Sequence, residues 1–265
     1  MLAIGDVQGL WRRSLIHWPD GRRDVTTSVT WLQGPNDYAD LRVPQQRPDF
    51  SGIAALNDLT REQMLFLASQ EGFAGQLSFD GRFFEWHRHI DYQPKSAMAD
   101  AGRLWFEDGR MIEEGRDVRY IEHWHRDENT VRLPCGTLRL SDQTSQAPGF
   151  LVRSGSHFMY ARDRSKPLHP GGTLLEQVSA ASDDAMRAAI DCEISFGRIS
   201  VFGWTIETSS LPFREGANLR PEMTGDCQQL SISEVTATGA ATLRQWTISE
   251  SDGNIALNGV PPAGL

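Results

Sequence analysis

Apolar and polar residues alternate with the period-two rhythm of strands over most of this chain, and Gly, Asp, Asn or Pro interrupts the rhythm at short intervals. Residues 9–18 and 24–33 flank Pro19-Asp20-Gly21, which reads as a hairpin, and residues 38–43 form a third alternating run that stops at Pro44. A capping box, Thr60-Arg61-Glu62-Gln63, followed by Met64, Leu67 and Ala68 at helical spacing, predicts a helix near 60–71 with Gly72 as its stop. Short strands follow at 75–79, 82–92, 102–107 and 119–126, with Asp80-Gly81 and Asp108-Gly109 as hairpin turns.

Patterning weakens over 133–149, which reads as a long connection or a boundary. The rhythm then resumes in 149–162, 188–196, 200–208, 228–236 and 241–249, while Ser182-Asp183-Asp184 would cap a short helix before Ala188. The reading is a mostly β protein made of two consecutive antiparallel β-barrels with one or two short helices, divided as 1–135 and 136–265. A single large β domain is the alternative.

Two segments concentrate the chemistry. In Phe84-Glu85-Trp86-His87-Arg88-His89-Ile90-Asp91-Tyr92, strand alternation puts Trp86, Arg88, Ile90 and Tyr92 on one face and Glu85, His87, His89 and Asp91 on the other. In the second, Tyr120, Glu122, Trp124 and Arg126 oppose Ile121, His123, His125 and Asp127. With the aromatic faces inward, Trp86, Tyr92, Tyr120, Trp124 and Trp31 line a barrel around Arg88 and Glu122. A charged pair in an apolar wall is costly unless the two groups meet, so Arg88 and Glu122 are expected to pair or to share a ligand. The alternative is that the rings fill a small barrel and the ion pair is a buried strut. With the opposite phase, His87, His89, His123 and His125 would line the interior and resemble a zinc-type ligand set.

Composition narrows the classes. The 265 residues carry a formal net charge of −9, with 39% hydrophobic and 23% charged residues, and basic side chains are scattered, which argues against nucleic acid or an anionic membrane as partner. The N-terminal residues lack the pattern of a secretory signal, and Cys135, Cys192 and Cys227 match no metal-ligand spacing, so buried thiols in the cytoplasm are expected. Nucleotide-binding and protease motifs are absent from the sequence, and no cofactor is expected.

Gly9-Leu10-Trp11 opening the first strand, ahead of a barrel-length series of hairpins, resembles the start of lipocalin and calycin-like barrels. That resemblance implies that Trp11 closes a barrel floor and that an arginine of the last strand packs across it, either Arg126 or Arg244. In length and two-halved β organisation the chain also resembles a two-barrel calycin-like family first noted in fungi, from which no functional residue carries over. Lipocalins are mostly secreted and disulfide-bonded, and this chain shows neither feature. Two functions are expected from these residues. One is a protein that encloses a small aromatic or amphipathic metabolite. The other is an isomerase, cyclase or lyase with Glu122 as base, Tyr120 or Tyr92 as acid and Arg88 stabilising an oxyanion. A homodimer is compatible with either.

Overall fold

The turn signals in the first half join strands of a sheet that closes on itself. In a computed structural model describing residues 2–130, 134–224 and 228–257, the first half contributes β1 (Gly9–His17), β2 (Arg23–Asp24), β3 (Ser28–Gln33), β4 (Asp37–Val43), β5 (Glu71–Phe79), β6 (Phe84–Asp91), β7 (Ala101–Glu107), β8 (Arg110–Gly115) and β9 (Ile121–Asp127). Neighbours along the chain pair antiparallel, and β1 pairs with both β3 and β9, so eight of these strands close a barrel while β2 extends one end of β1. The expected strand at 24–33 is broken because the Asp24 carboxylate accepts from the backbone N–H groups of Thr26 and Thr27, which turns the chain before β3.

The second half forms an antiparallel sheet from β10 (Cys135–Asp142), β11 (Pro148–Ser154), β12 (His157–Arg162), β13 (Glu193–Ser200), β14 (Gly203–Ser209), β15 (Glu222–Thr224), β16 (Gln229–Val235) and β17 (Ala241–Gly253). Its order runs β14-β13-β12-β11-β10-β17-β16-β15, a half-barrel rather than a closed ring. The weakly patterned stretch at 133–149 is thus not a plain connection. It holds β10, a central strand paired to β11 and β17, with buried side chains on both faces and hence no clean alternation. Leu133, Cys227 and the residues beyond Leu257 lie outside the described residues.

Helix α1 (Arg61–Ala68) starts at the predicted capping box: Thr60 Oγ1 accepts from the Gln63 N–H, and Gln63 Oε1 accepts from the Thr60 N–H at 2.9 Å. Gly72 is not its stop. It lies in β5, where a Cβ would sit 2.9 Å from Ile194 Cδ1 of the other sheet, so the missing side chain permits close sheet contact. Helix α2 (Leu174–Val178), capped by Thr173, and α3 (Asp183–Ile190), capped by Ser182, pack with α1 against a core shared by both halves. That core includes Leu41, Ala74 and Ile90 from the first sheet and Val152, Met159 and Ile194 from the second. Two further apolar clusters lie on the other sides: one within the barrel, around Trp11, Trp31, Trp86 and Trp124, and one in the half-barrel, around Phe158, Tyr160, Trp204 and Trp246. Polar ties also cross between halves, including Arg139 to Asp37 at 2.6 Å and Arg164 to the carbonyls of Asp91 and Tyr92.

Candidate functional site: the mouth of the first barrel

The aromatic faces point inward. Trp31 lies at the centre, with ring centroids 6.0 Å from Trp11, 5.8 Å from Trp86 and 5.5 Å from Trp124, the last two edge to face. At one end Trp11 Nε1 donates to the Val7 carbonyl, and the Arg126 guanidinium lies 5.0 Å above the Trp11 ring while donating to the Asp6 carbonyl. The arginine over Trp11 is therefore Arg126; Arg244 belongs to the other sheet, over Trp246. Between Trp31, Trp86, Trp124 and the polar groups above them the free volume is about 10 Å³, so among the described residues the rings fill this space.

Two steps further along the same inward faces the wall becomes ionic. Arg13 holds Glu122 at 2.6 Å and Asp24 at 3.2 Å, Arg42 holds Asp40 at 2.9 Å, and Arg88 holds Asp100 at 2.6 Å and Asp91 at 3.1 Å. The expected Arg88–Glu122 pair is not formed, because each group has a nearer partner on an adjacent or sequence-local segment. The Arg88 guanidinium also lies 3.6 Å from the centre of the Phe73 ring, and Arg42 packs on the same ring at 4.9 Å.

Asp91 reaches Arg88 because β6 carries a bulge. Ala74 pairs with Ile90 but Gly75 pairs with Arg88, leaving His89 unopposed and reversing the alternation beyond it. Ile90 and Tyr92 consequently turn out of the barrel into the core between the sheets, which corrects their expected place beside Trp86 and Arg88. Gly75 is required here, since a Cβ on it would lie 1.9 Å from the His87 carbonyl oxygen. A bulge leaves little trace in hydrophobic periodicity, though a glycine opposite a histidine-rich strand was available as a signal.

Sequence reasoning named no strand at β8 and so missed Glu113. This carboxyl is buried opposite Glu122, in register with it across β8 and β9. It accepts from the Tyr120 hydroxyl at 2.7 Å and from Trp124 Nε1 at 3.1 Å, and no ion pair to it is among the described contacts. Burial and the nearby Glu122 charge push Glu113 well above the usual carboxylate range. Burial also raises Glu122, against the opposing pull of Arg42 and Arg13.

Beyond the ionic layer β6 and β7 diverge after two paired positions, Phe84 with Gly102 and Glu85 with Ala101. The segment between them stands over an open cleft of about 820 Å³ lined by Trp86, Arg88, Tyr120 and Glu122, with Arg42 and Asp100 beneath and Lys95 to Ala99 at the rim. Four of the expected ligand-binding residues therefore meet in one place. Trp31 and Trp124 lie below the ionic layer, and Tyr92 lies in the other core. The lining holds five carboxylates, of Glu71, Glu85, Asp91, Asp100 and Glu122, against three cationic side chains, of Arg42, Arg88 and Lys95.

The four histidines do not converge. His87 and His89 are on the outward face of β6, where His87 meets Ser78 Oγ at 2.8 Å and His89 stacks edge-on to Phe150. His123 and His125 face outward on β9, and β7 and β8 separate the two strands. Among the described residues no group of three or more His, Cys, Asp or Glu side chains is placed to hold a metal ion. Cys135 and Cys192 are free and buried, and no helix among the described residues is long and apolar enough to cross a membrane.

These features define the class: an antiparallel β protein pairing a closed eight-stranded barrel with a half-barrel. The chain is similar in fold to the crystal structure of the uncharacterized protein YLR301w from Saccharomyces cerevisiae, at 11% sequence identity and a TM-score of 0.50, over 91% of this chain and 98% of that one. At this identity the likeness concerns the fold alone. No protein-family model matches the sequence, and no curated protein matches it.

Proposed function

We propose that the protein binds a small aromatic or amphipathic molecule in the cleft over the first barrel, with Trp86 and Tyr120 contacting its apolar part and Arg88 and Glu122 orienting its polar group. The observation that carries this reading is the meeting of those four side chains at a cleft of about 820 Å³, within the roughly 300–1,000 Å³ range of small-molecule sites. The surplus of carboxylates over cations in the lining favours a ligand with a positively charged or hydrogen-bond-donating head. A calycin-like affiliation is part of the proposal and is supported by Arg126 stacked on Trp11. So is a reducing, cytoplasmic setting, supported by the free buried thiols of Cys135 and Cys192.

One observation favours a second reading, acid–base catalysis at the same site. Glu113, pushed up by burial, and Glu122, held by Arg13 at 2.6 Å, are facing carboxyls in different electrostatic settings. Glu122 would be the base, and Glu113 would pass a proton through Tyr120, whose hydroxyl it contacts.

Native mass spectrometry of freshly purified protein tests the binding proposal. The expected result is a non-covalent organic adduct that is lost on denaturation and is absent from Ala97→Trp, which fills the exposed rim without touching the ionic layer. A bare wild-type chain, or an adduct that Ala97→Trp retains, would overturn it.

A further inference from the structure

The cleft over the first barrel has an ionic floor and an apolar rim. Arg42, Arg88, Asp100 and Glu122 form the floor, while Met98 and Val118, 57% and 44% exposed, stand at the rim. What the floor can hold depends on which of its groups are still free to bond.

The guanidiniums are largely engaged. Arg88 donates through Nε and Nη2 to Asp100 Oδ2 and through Nη1 to Asp91 Oδ2, so each of its nitrogens has a partner. Arg42 donates through Nε to Asp40, and its charge is offset by the surrounding carboxylates of Asp40, Glu71, Glu122 and Asp100. The carboxylates are only half engaged. Glu122 Oε1 accepts from Arg13 at 2.6 Å, but Glu122 Oε2 has no hydrogen-bond partner among the described residues. Asp100 Oδ2 takes both bonds from Arg88, and Asp100 Oδ1 has no partner among the described residues either. Neither oxygen is among the buried atoms sealed from solvent, and both residues line the cleft. Glu122 as a whole is 2% exposed, so its free oxygen is a poorly hydrated acceptor and gains from any donor brought to it.

Resting on the binding reading above, we propose that the ligand of this cleft is a primary amine carrying an aromatic or alkyl group. Its ammonium donates to Glu122 Oε2, with Asp100 Oδ1 as a further acceptor, and its apolar part lies against Trp86 and runs out to Met98 and Val118. An ammonium brings a positive charge and three donors with no acceptor, which matches a wall whose open valences are carboxylate oxygens. Other heads match less well. A carboxylate or phosphate has no proton to donate and would meet five carboxylates in the lining. A quaternary ammonium has the charge without a donor, and a hydroxyl has a donor without the charge. Lys95, the remaining cation of the lining, is exposed at the rim, where solvent and salt screen it. The apolar rim accounts for two exposed side chains that the ionic floor leaves unexplained, since a ligand inserted head first covers them with its tail.

Calorimetric titration of the intact chain at about pH 7, where an alkylamine is protonated, tests the assignment. Phenethylamine is the probe, with hydrocinnamate, phenethyl alcohol and phenethyltrimethylammonium as its anionic, neutral and donor-free counterparts. The expected result is saturable binding of phenethylamine and affinities on the order of tenfold weaker, or less, for the other three. Glu122→Gln keeps an acceptor but removes the charge and should weaken phenethylamine on the order of tenfold, with Asp24 remaining as a partner for Arg13. Should that variant fail to fold, two rim variants at exposed positions carry the test: Ala97→Trp should abolish binding, and Met98→Ser should reduce the advantage of octylamine over butylamine. Hydrocinnamate or phenethyl alcohol binding as tightly as phenethylamine, and displaced by Ala97→Trp, would overturn the amine assignment while leaving the cleft a binding site. No binding by any probe would also overturn the assignment, whereas the binding reading itself falls only with the native adduct.

Discussion

The two halves of this molecule carry the same local device and use it differently. In each, aromatic side chains lie one strand step from ionic ones on the same face: Trp86 beside Arg88 and Trp124 beside Glu122 in the barrel, Tyr160 beside Arg162 and Trp246 beside Arg244 in the half-barrel. In the first half β1 pairs with β9, the rings fill the closed interior, and the ionic layer lies beneath an open cleft of about 820 Å³. In the second the sheet stays open and the ionic layer is roofed by Leu56 and Phe213 over about 170 Å³. In the barrel, whose ring of hydrogen bonds is complete, the ionic layer borders the open cleft, whereas in the half-barrel Leu56 from the first half of the chain and Phe213 lie over it.

The sharpest way to break this parallel is to remove one ring from each half. Trp31→Ala and Trp246→Ala, both at fully buried positions, should each cost about 3–5 kcal/mol in urea unfolding. If the barrel tolerates the loss with little change while the half-barrel does not, the view that both cores are equally packed fails.

The ionic layers should separate the halves more clearly. Glu234→Ala strips partners from Arg162, Arg244 and Tyr160 at once in a roofed site, with an expected cost of about 3 kcal/mol. Asp100→Ala leaves Arg88 its second partner, Asp91, beside an open cleft, and should cost about 1 kcal/mol. Equal costs would mean that the cleft is no better solvated than the roofed cavity.

The smallest effect is also the most specific. Glu113 binds its proton more tightly in the folded state than in the unfolded chain, where a glutamate titrates near its ordinary value. Between the unfolded and the raised folded pKa the native state holds the extra proton, so stability falls as pH rises through that window. Glutamine cannot ionise, and its side-chain carbonyl can still accept from one of the two donors, Tyr120 or Trp124. The stability of Glu113→Gln relative to wild type should therefore rise as pH increases from about 4 to about 8. A parallel pair of stability–pH curves would show that Glu113 is ionised when folded.

Much of the architecture was legible because it rests on local rules. Alternation located β1, β3, β4 and β9, the Thr60 capping box set the start of α1, and Gly9-Leu10-Trp11 marked the first strand, with Arg126 as one of two candidates to cover Trp11. The inward phase of Trp86 and Trp124 followed from the same period, since burial favours indole over imidazole.

What the sequence could not determine is whatever depends on partners distant along the chain. Whether a sheet closes depends on the pairing of its first and last strands, β1 with β9, and no local pattern reports that contact. The bulge at His89 turns Asp91 towards Arg88 and Tyr92 away from it, because one extra residue inverts a period-two pattern that is otherwise unbroken. The choice of Asp100 for Arg88 and Arg13 for Glu122 is set by which strands end up side by side. Composition and alternation determined which residues face inward; only the tertiary pairing decided which of them meet, because electrostatic partners are chosen by distance in space.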